Sequence, residues 1–222
     1  AIQNENTINV VKENDIQKAI DEVMIGREKR ERILSKKERE RVSHHEAGHC
    51  IMGYILKYVD HPVKVSIIPR GEAALGFSQQ KPTHKLLMCK EEILCRISVL
   101  LGGRCAEKII YGNISTGAGD DIEKVSSLVH KYALHWGMNE NLGPINPYVM
   151  GNISQNMSTD FMDQCKQMIL NIEKQTLNFL TKYECYIKEI GTSLLQNETI
   201  LYKDIQNIIP KDIENSEVIL SL

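Results

Sequence analysis

Apolar residues recur at steps of three and four along much of the chain, which is the spacing of one face of an α-helix. The pattern predicts helices over residues 15–30, 35–56, 90–110, 120–136, 159–183, 186–196 and 202–209. In the first of these stretches, Gly26 marks the expected stop of the helix. Two stretches after the second helix, VKVSII (63–68) and LGFSQQ (75–80), have strand character and indicate a hairpin or two strands of a small sheet. We therefore expect a mainly α fold with a small β element directly after the second helix.

The second helix has a well-marked start and one continuous apolar face. Ser35 followed by Glu38 matches the capping box, in which the two side chains satisfy backbone N–H groups at a helix start. The residues on the predicted inward face are Val42, His45, His49, Met52 and Leu56. Two histidines thus lie one helical turn apart among apolar residues.

That helix contains the stretch SHHEAGHC (43–50). Residues four apart stack on one face, so His45 and His49 can direct imidazole nitrogens to one point, whereas His44 lies about 100° away. In the His-Glu-x-x-His pattern two histidines bind Zn²⁺, and the glutamate, here Glu46, takes a proton from the water that attacks a peptide carbonyl. The alternative is two histidines satisfied in the core, but two adjacent buried imidazoles are costly without a shared ligand.

A catalytic zinc ion needs a third protein ligand. Asp121 is the best candidate because it begins a predicted core-facing stripe. The stripe continues through Val125, Leu128, Tyr132 and His135. An acidic residue at a helix start is also favoured by the helix dipole alone. Glu107 is the alternative ligand, since a downstream helical glutamate completes the site in other zinc peptidases; otherwise we expect it to pair with Arg104 or Lys108.

Two neighbours of these residues raise separate expectations. Gly48 lies inside the predicted helix, where glycine costs up to ~1 kcal/mol relative to alanine, so close approach of another backbone is the expected reason for it. His44 is expected either to hydrogen-bond a metal ligand or to be solvated.

Composition excludes several classes of protein. The 222 residues carry a formal net charge of −2, without the basic excess that binds phosphates, so nucleic acid is not an expected partner. Six cysteines without a Cys-x-x-Cys pair argue against a thiolate zinc cluster and a disulfide scaffold. No apolar window approaches the ~18 residues of a membrane span, so we expect this chain itself to be soluble. It begins at Ala1 without methionine, which suggests a piece of a longer protein.

Four segments in order carry a family resemblance. HEAGH, VKVSIIPRGEAALGFSQQKP, LLGGRCAEKIIYGNISTGAGDDI and WGMNENLGP resemble the peptidase domain of FtsH-type ATP-dependent zinc metalloproteases. The resemblance implies a zinc endopeptidase with one Zn²⁺ per chain, His45, His49 and Asp121 as ligands and Glu46 as the base. The family aspartate in the segment matching STGAGDDI falls on Asp121 rather than on Asp120.

The resemblance also implies what surrounds this chain. Residues 1–34 resemble the tail of an ATPase lid and a connecting helix, and 35–222 the peptidase domain. The Gly-x-x-x-x-Gly-Lys-Ser/Thr phosphate loop does not occur in the sequence, so ATP is expected only in an ATPase module outside it. Family members form homo- or hetero-hexamers anchored in the mitochondrial inner membrane, a plastid membrane or the bacterial inner membrane, and they degrade unfolded or membrane proteins. The alternative is a non-catalytic ring-assembly module with a structural metal.

The second predicted strand is the candidate for binding substrate. An exposed edge strand can pair with an extended peptide through backbone hydrogen bonds, which demands no particular side chain of the peptide. The residues assigned to this role are Leu75, Gly76, Phe77 and Ser78, with Gly76 allowing the peptide to approach.

Overall fold

The computed structural model of the chain describes residues 11, 13–28, 34–70, 75–81, 85–146, 149, 151 and 155–219. Its α-helices are α1 (Glu13–Ile25), α2 (Lys36–Ile55), α3 (Lys90–Tyr111), α4 (Gly119–His130), α5 (Gln155–Lys182), α6 (Glu184–Asn197) and α7 (Tyr202–Ile208). Its strands are β1 (Pro62–Ser66), β2 (Phe77–Gln80) and β3 (Thr199–Leu201). The predicted mainly α fold with a small sheet is confirmed. Among the described helices, none is both long and apolar enough to cross a bilayer.

Helix α2 runs through the centre of the molecule. The Ser35 hydroxyl accepts from the backbone N–H of Glu38, and the Glu38 carboxylate accepts from the backbone N–H of Ser35, so the predicted capping box is present. From Val42 to Ile55 every residue is buried, against α3, α6 and the sheet. The histidine-bearing part of the helix therefore has neighbours on all sides.

Glycines bring α2 and α3 unusually close together. A Cβ built on Gly48 would lie 2.3 Å from the carbonyl oxygen of Gly102, and one built on Gly103 would lie 2.4 Å from Nε2 of His45. Both separations are far below contact distance, so the two backbones can approach only where side chains are missing. The prediction that Gly48 serves close backbone approach is confirmed.

The three strands form an antiparallel sheet in the order β2-β1-β3. The predicted pair of strands is confirmed, but β2 begins at Phe77, so Leu75 and Gly76 precede the strand. Strand β3 was not predicted because its three residues are too few to show alternation. β2 pairs with β1 alone among the described strands and is an edge strand.

Helix α1 ends where Gly26 was expected to stop it. Gly26 has a φ of 104° and follows the last helical residue, Ile25. Its contact with the body of the protein is polar: the buried Asp21 carboxylate accepts from Lys64 and, at 3.3 Å, from Arg70. The predicted lid tail and the predicted boundary near residue 34 fall largely outside the described residues, which omit 1–10, 12 and 29–33.

Helix α4 continues into a turn of π-helix over Lys131–His135. The predicted stripe from Asp121 is buried at Val125 and Tyr132, but His135 is exposed, so the prediction that the stripe reaches His135 was wrong. A π turn contains more residues than an α turn, and it therefore rotates the positions that follow it away from the core.

Substituting Gly48 by alanine tests the close contact between α2 and α3. Alanine raises helix propensity by up to ~1 kcal/mol, but its methyl group would overlap the Gly102 carbonyl, and overpacking of this kind costs ~1–3 kcal/mol. We expect Gly48→Ala to lower the free energy of unfolding by about 1–2 kcal/mol in urea titrations. The matched control is Gly119→Ala, where nothing lies within 4 Å and stability should be unchanged or slightly higher. Equal stability of the two variants would contradict the close contact.

Candidate metal centre

Three side chains from α2 and α4 converge on one point. Nε2 of His45 lies 3.0 Å from Nε2 of His49, and each of these nitrogens lies 3.2 Å from Oδ2 of Asp121. His45 and His49 are one turn apart on α2, and Asp121 is in the first turn of α4. Among the described residues, this is the one group of three or more histidine, cysteine, aspartate or glutamate side chains close enough to share a metal ion.

The outer nitrogen of each histidine has an acceptor of its own. Nδ1 of His49 donates to the backbone carbonyl of Val99 at 2.8 Å, and Nδ1 of His45 donates to Oε1 of Glu107 at 2.9 Å. A neutral imidazole that donates from Nδ1 carries its lone pair on Nε2. With both rings neutral, two lone pairs and a carboxylate oxygen therefore face one another, an arrangement that is stable only with a metal ion or a proton between them.

The spacing of these atoms fits zinc. Ligand atoms about 2.0–2.2 Å from a tetrahedral zinc ion are separated by about 3.3–3.6 Å, a little more than the three separations of 3.0, 3.2 and 3.2 Å. Two imidazole nitrogens and a carboxylate oxygen are also a donor set that zinc prefers. If these three side chains were the ligands, a bound zinc ion would keep a fourth position for water or substrate.

The electrostatic surroundings favour positive charge at this point. Burial acts against protonation of His45, but hydrogen bonds to Asp121 and Glu107 outweigh it and raise the pKa of His45 to about 10. Burial likewise acts to raise the pKa of Asp121, yet the hydrogen bonds from the two histidines hold it well below its usual range. The aspartate is therefore ionised and able to bind a cation.

Glu46 lies beside this centre without belonging to the convergent group. It is buried, and burial raises the pKa of its carboxyl group. A Cβ built on Gly76, just before β2, would lie 2.7 Å from Oε1 of Glu46, so the absence of a side chain at Gly76 leaves room for the carboxylate. The start of the edge strand and the predicted base are therefore neighbours.

Glu107 lies behind His45 rather than among the convergent atoms. It accepts from Nδ1 of His45, and its ion-pair partner is Arg41, at 2.8 Å. The predicted pairing with Arg104 or Lys108 was wrong: Arg104 instead pairs with Glu173 from α5. Glu107 follows Gly102 and Gly103 of α3 by about one turn, so it lies on the same face of α3 as these glycines and faces α2.

Three other residues near the centre have definite places. Asp120 is exposed and pairs with Lys124, one turn along α4. His44 is buried, so the expectation that it might be solvated was wrong, and its Nδ1 lies 2.7 Å from the hydroxyl of Tyr111. Gly191 of α6 admits the His44 ring, since a Cβ there would lie 2.6 Å from Cδ2 of the ring. His44 thus packs α2 against α6, away from the metal ligands.

Comparison with known proteins identifies the family of this chain. The sequence model described as Peptidase family M41 matches residues 32–208. The chain is 34% identical over 209 residues to an ATP-dependent zinc metalloprotease FtsH of Rhodothermus marinus, covering 90% of this chain and 30% of that protein. It is 33% identical over 198 residues to the mitochondrial ATP-dependent zinc metalloprotease FTSH 3 of Arabidopsis thaliana, covering 86% of this chain and 24% of that protein.

These relatives are much longer than the chain. It spans about a third of their length or less, whereas the match extends over nearly all of the chain itself. A relative from Syntrophobacter fumaroxidans, also named ATP-dependent zinc metalloprotease FtsH, is 47% identical over 132 residues. From the family match over most of its length, together with these relatives, the chain belongs to peptidase family M41 and is an FtsH-type peptidase domain.

Proposed function

We propose that this chain is the zinc-dependent endopeptidase unit of a longer protein, with His45, His49 and Asp121 binding one Zn²⁺ and Glu46 acting as general base. The observation that carries the proposal is the convergence of two imidazole nitrogens and one carboxylate oxygen within 3.2 Å of one another. Glu46, buried beside them, is a candidate general base, a group that a catalytic metal site needs and a purely structural one does not.

The chemistry divides between the metal and the chain. A zinc ion held there would lower the pKa of a coordinated water toward about 7 and polarise the scissile carbonyl. Glu46 accepts the proton of the attacking water and passes it to the departing amine. Its raised pKa suits this role, because a carboxylate that binds a proton more readily is the better base near neutral pH.

Substrate would bind along β2. The strand is at the edge of the sheet, and the residue preceding it, Gly76, adjoins Glu46. An extended peptide paired with this edge would run past the base and the metal ligands. Leu75, Gly76, Phe77 and Ser78 are therefore the proposed peptide-binding residues, through backbone rather than side-chain contacts.

The length and names of the relatives support a larger assembly. We propose that an ATPase module and membrane anchors outside this chain deliver unfolded or membrane proteins to it, within a homo- or hetero-hexamer. The relatives are named ATP-dependent and include bacterial and mitochondrial proteins, so a bacterial or organellar membrane is the proposed location.

Metal content of aspartate variants tests the ligand assignment. Asp121→Asn should abolish stoichiometric zinc, because a neutral amide replaces the ionised ligand. Asp120→Asn changes the exposed neighbour and should retain one zinc per chain, as measured by elemental analysis. Glu107→Gln should still bind zinc, although more weakly, because it removes an acceptor behind His45 rather than a ligand. Complete loss of zinc in Glu107→Gln with retention in Asp121→Asn would instead identify Glu107 as the ligand.

Replacement of the base separates catalysis from metal binding. Glu46→Gln should lower kcat for an unfolded substrate by a factor of about 10²–10⁴, the usual contribution of a general base, while zinc content stays at one per chain. Glu40→Gln on the exposed side of α2 provides the matched control and should leave kcat unchanged. Wild-type activity in Glu46→Gln would exclude this residue as the base.

Backbone-modified substrates test the role of the edge strand. N-methylation of a peptide bond that pairs with β2 removes one N–H donor, and the loss of one hydrogen bond, about 0.5–1.5 kcal/mol, corresponds to a roughly 2- to 10-fold rise in KM. Moving the methyl group along the peptide should give alternating strong and weak effects, since successive N–H groups of a strand point in opposite directions. Uniform tolerance of N-methylation at every position would contradict backbone pairing.

A further inference from the structure

The carboxylate of Glu107 is fully occupied by hydrogen-bond donors. Its Oε1 accepts from Nδ1 of His45 at 2.9 Å and from the hydroxyl of Ser115 at 3.0 Å. Its Oε2 accepts from Nη1 of Arg41 at 2.8 Å and from the backbone N–H of Ser115 at 2.8 Å. With only 1% of the residue exposed, four donors determine where the carboxylate lies, two from α2 and two from Ser115.

Arg41 is itself held in a defined position. It precedes His45 by one helical turn on α2, so both side chains reach Glu107 from the same face. Its Nη2 donates to Oδ1 of Asn113 at 2.8 Å, and its guanidinium carbon lies 4.4 Å from the centre of the Tyr111 ring. The planar guanidinium is thus stacked on one face and hydrogen-bonded at two nitrogens, an arrangement that lysine cannot reproduce.

Ser115 connects the Glu107 carboxylate to the segment that enters α4, the helix that contains Asp121. It caps the short 3-10 turn Thr116–Ala118, where its hydroxyl accepts from the backbone N–H of Gly117 at 3.2 Å. That turn leads directly into α4, whose first turn contains Asp121. The position of Ser115 therefore affects where α4 begins and, with it, where the Asp121 side chain lies.

We propose that Arg41 and Ser115 are positioning residues for the metal centre and that both act through Glu107, Arg41 on the side of His45 and Ser115 on the side of Asp121. Neither residue lies among the three convergent side chains. Glu107 transmits their effect because it contacts α2, through His45 and Arg41, and the segment that enters α4. The inference rests on the proposed zinc site and adds to it two partly buried residues that set its affinity.

Replacement of Arg41 should lower the affinity of the centre for zinc. Without the guanidinium, Oε2 of Glu107 keeps only the Ser115 N–H, and the buried carboxylate can turn away from His45. Loss of outer hydrogen-bond partners of metal-ligating histidines typically costs about 10- to 100-fold in metal affinity. We expect this range for Arg41→Met, a smaller loss for Arg41→Lys, and a loss of several-fold for Ser115→Ala, which keeps its backbone donor.

The experiment is a zinc titration of the whole chain against a chromophoric chelator. The variants are Arg41→Met, Arg41→Lys and Ser115→Ala, each also made together with Glu107→Gln. The matched control is Arg39→Met, which removes an arginine from the same helix whose ion pair, with Glu198, lies away from the metal ligands. The control should bind zinc within about twofold of the unaltered chain.

Action through Glu107 makes a specific prediction for the combined variants. In the Glu107→Gln background, Arg41→Met should cost little further affinity, because the group through which it acts is already altered. Ser115→Ala should cost less than it does in the unaltered chain, because only its contact with the Gly117 N–H is then left to lose. A general loss of stability would instead weaken zinc binding in both backgrounds and in Arg39→Met. Apo-protein melting temperatures separate the two effects.

The outcomes distinguish this inference from the proposed function. If the unaltered chain binds zinc and Arg41→Met binds it as tightly as Arg39→Met does, the positioning role is wrong and the zinc site stands. Full additivity with Glu107→Gln would also overturn it. If the unaltered chain binds no zinc, the proposed function and the inference fail together. Should Arg41→Met fail to fold, Arg41→Lys and Ser115→Ala decide by the same criteria.

Discussion

The close contact between α2 and α3 is the constraint on which the rest of the structure depends. A methyl group at Gly48 would lie 2.3 Å from the Gly102 carbonyl, and one at Gly103 would lie 2.4 Å from the ring of His45. The helices approach so closely because neither surface has side chains at these points. One turn beyond the glycine pair, Glu107 therefore reaches the back of His45, and Val99, one turn before it, offers its carbonyl to His49.

The candidate metal centre depends on this packing, because α3 supplies a fixed acceptor for each of its two histidines. Each outer histidine nitrogen is held by a group of α3, which leaves both inner nitrogens directed at Asp121. Hydrogen bonds at Nδ1 already orient both rings. Binding of a metal ion would therefore lose less side-chain conformational entropy than it would with two freely rotating imidazoles. Glu46 adjoins both the centre and Gly76, which precedes the proposed peptide-binding strand β2.

The N-terminal helix shows a different kind of attachment. The apolar residues Ile16, Ile20 and Val23 of α1 are exposed, while Asp21 is buried and paired with Lys64 and Arg70. Arg70 also lies 5.2 Å from the centre of the Phe77 ring, at the start of β2. A polar anchor of this kind fixes α1 while leaving Ile16, Ile20 and Val23 exposed, in contrast to the continuous apolar packing around α2.

The sequence by itself determined the features that depend on local spacing. Four-residue periodicity predicted that His45 and His49 share a face, that Glu46 stands beside them, and that Asp121 begins a core-facing stripe, because helix geometry alone relates such residues. The tertiary structure decided the partners. Glu107 could be predicted only as an alternative ligand or a surface ion pair, because its neighbours Arg41 and His45 lie more than sixty positions away. Arg41 has the same four-residue spacing to His45 as His49 has. Its role, however, depends on how closely α3 approaches α2, and the periodicity of one helix carries no information about the distance to another.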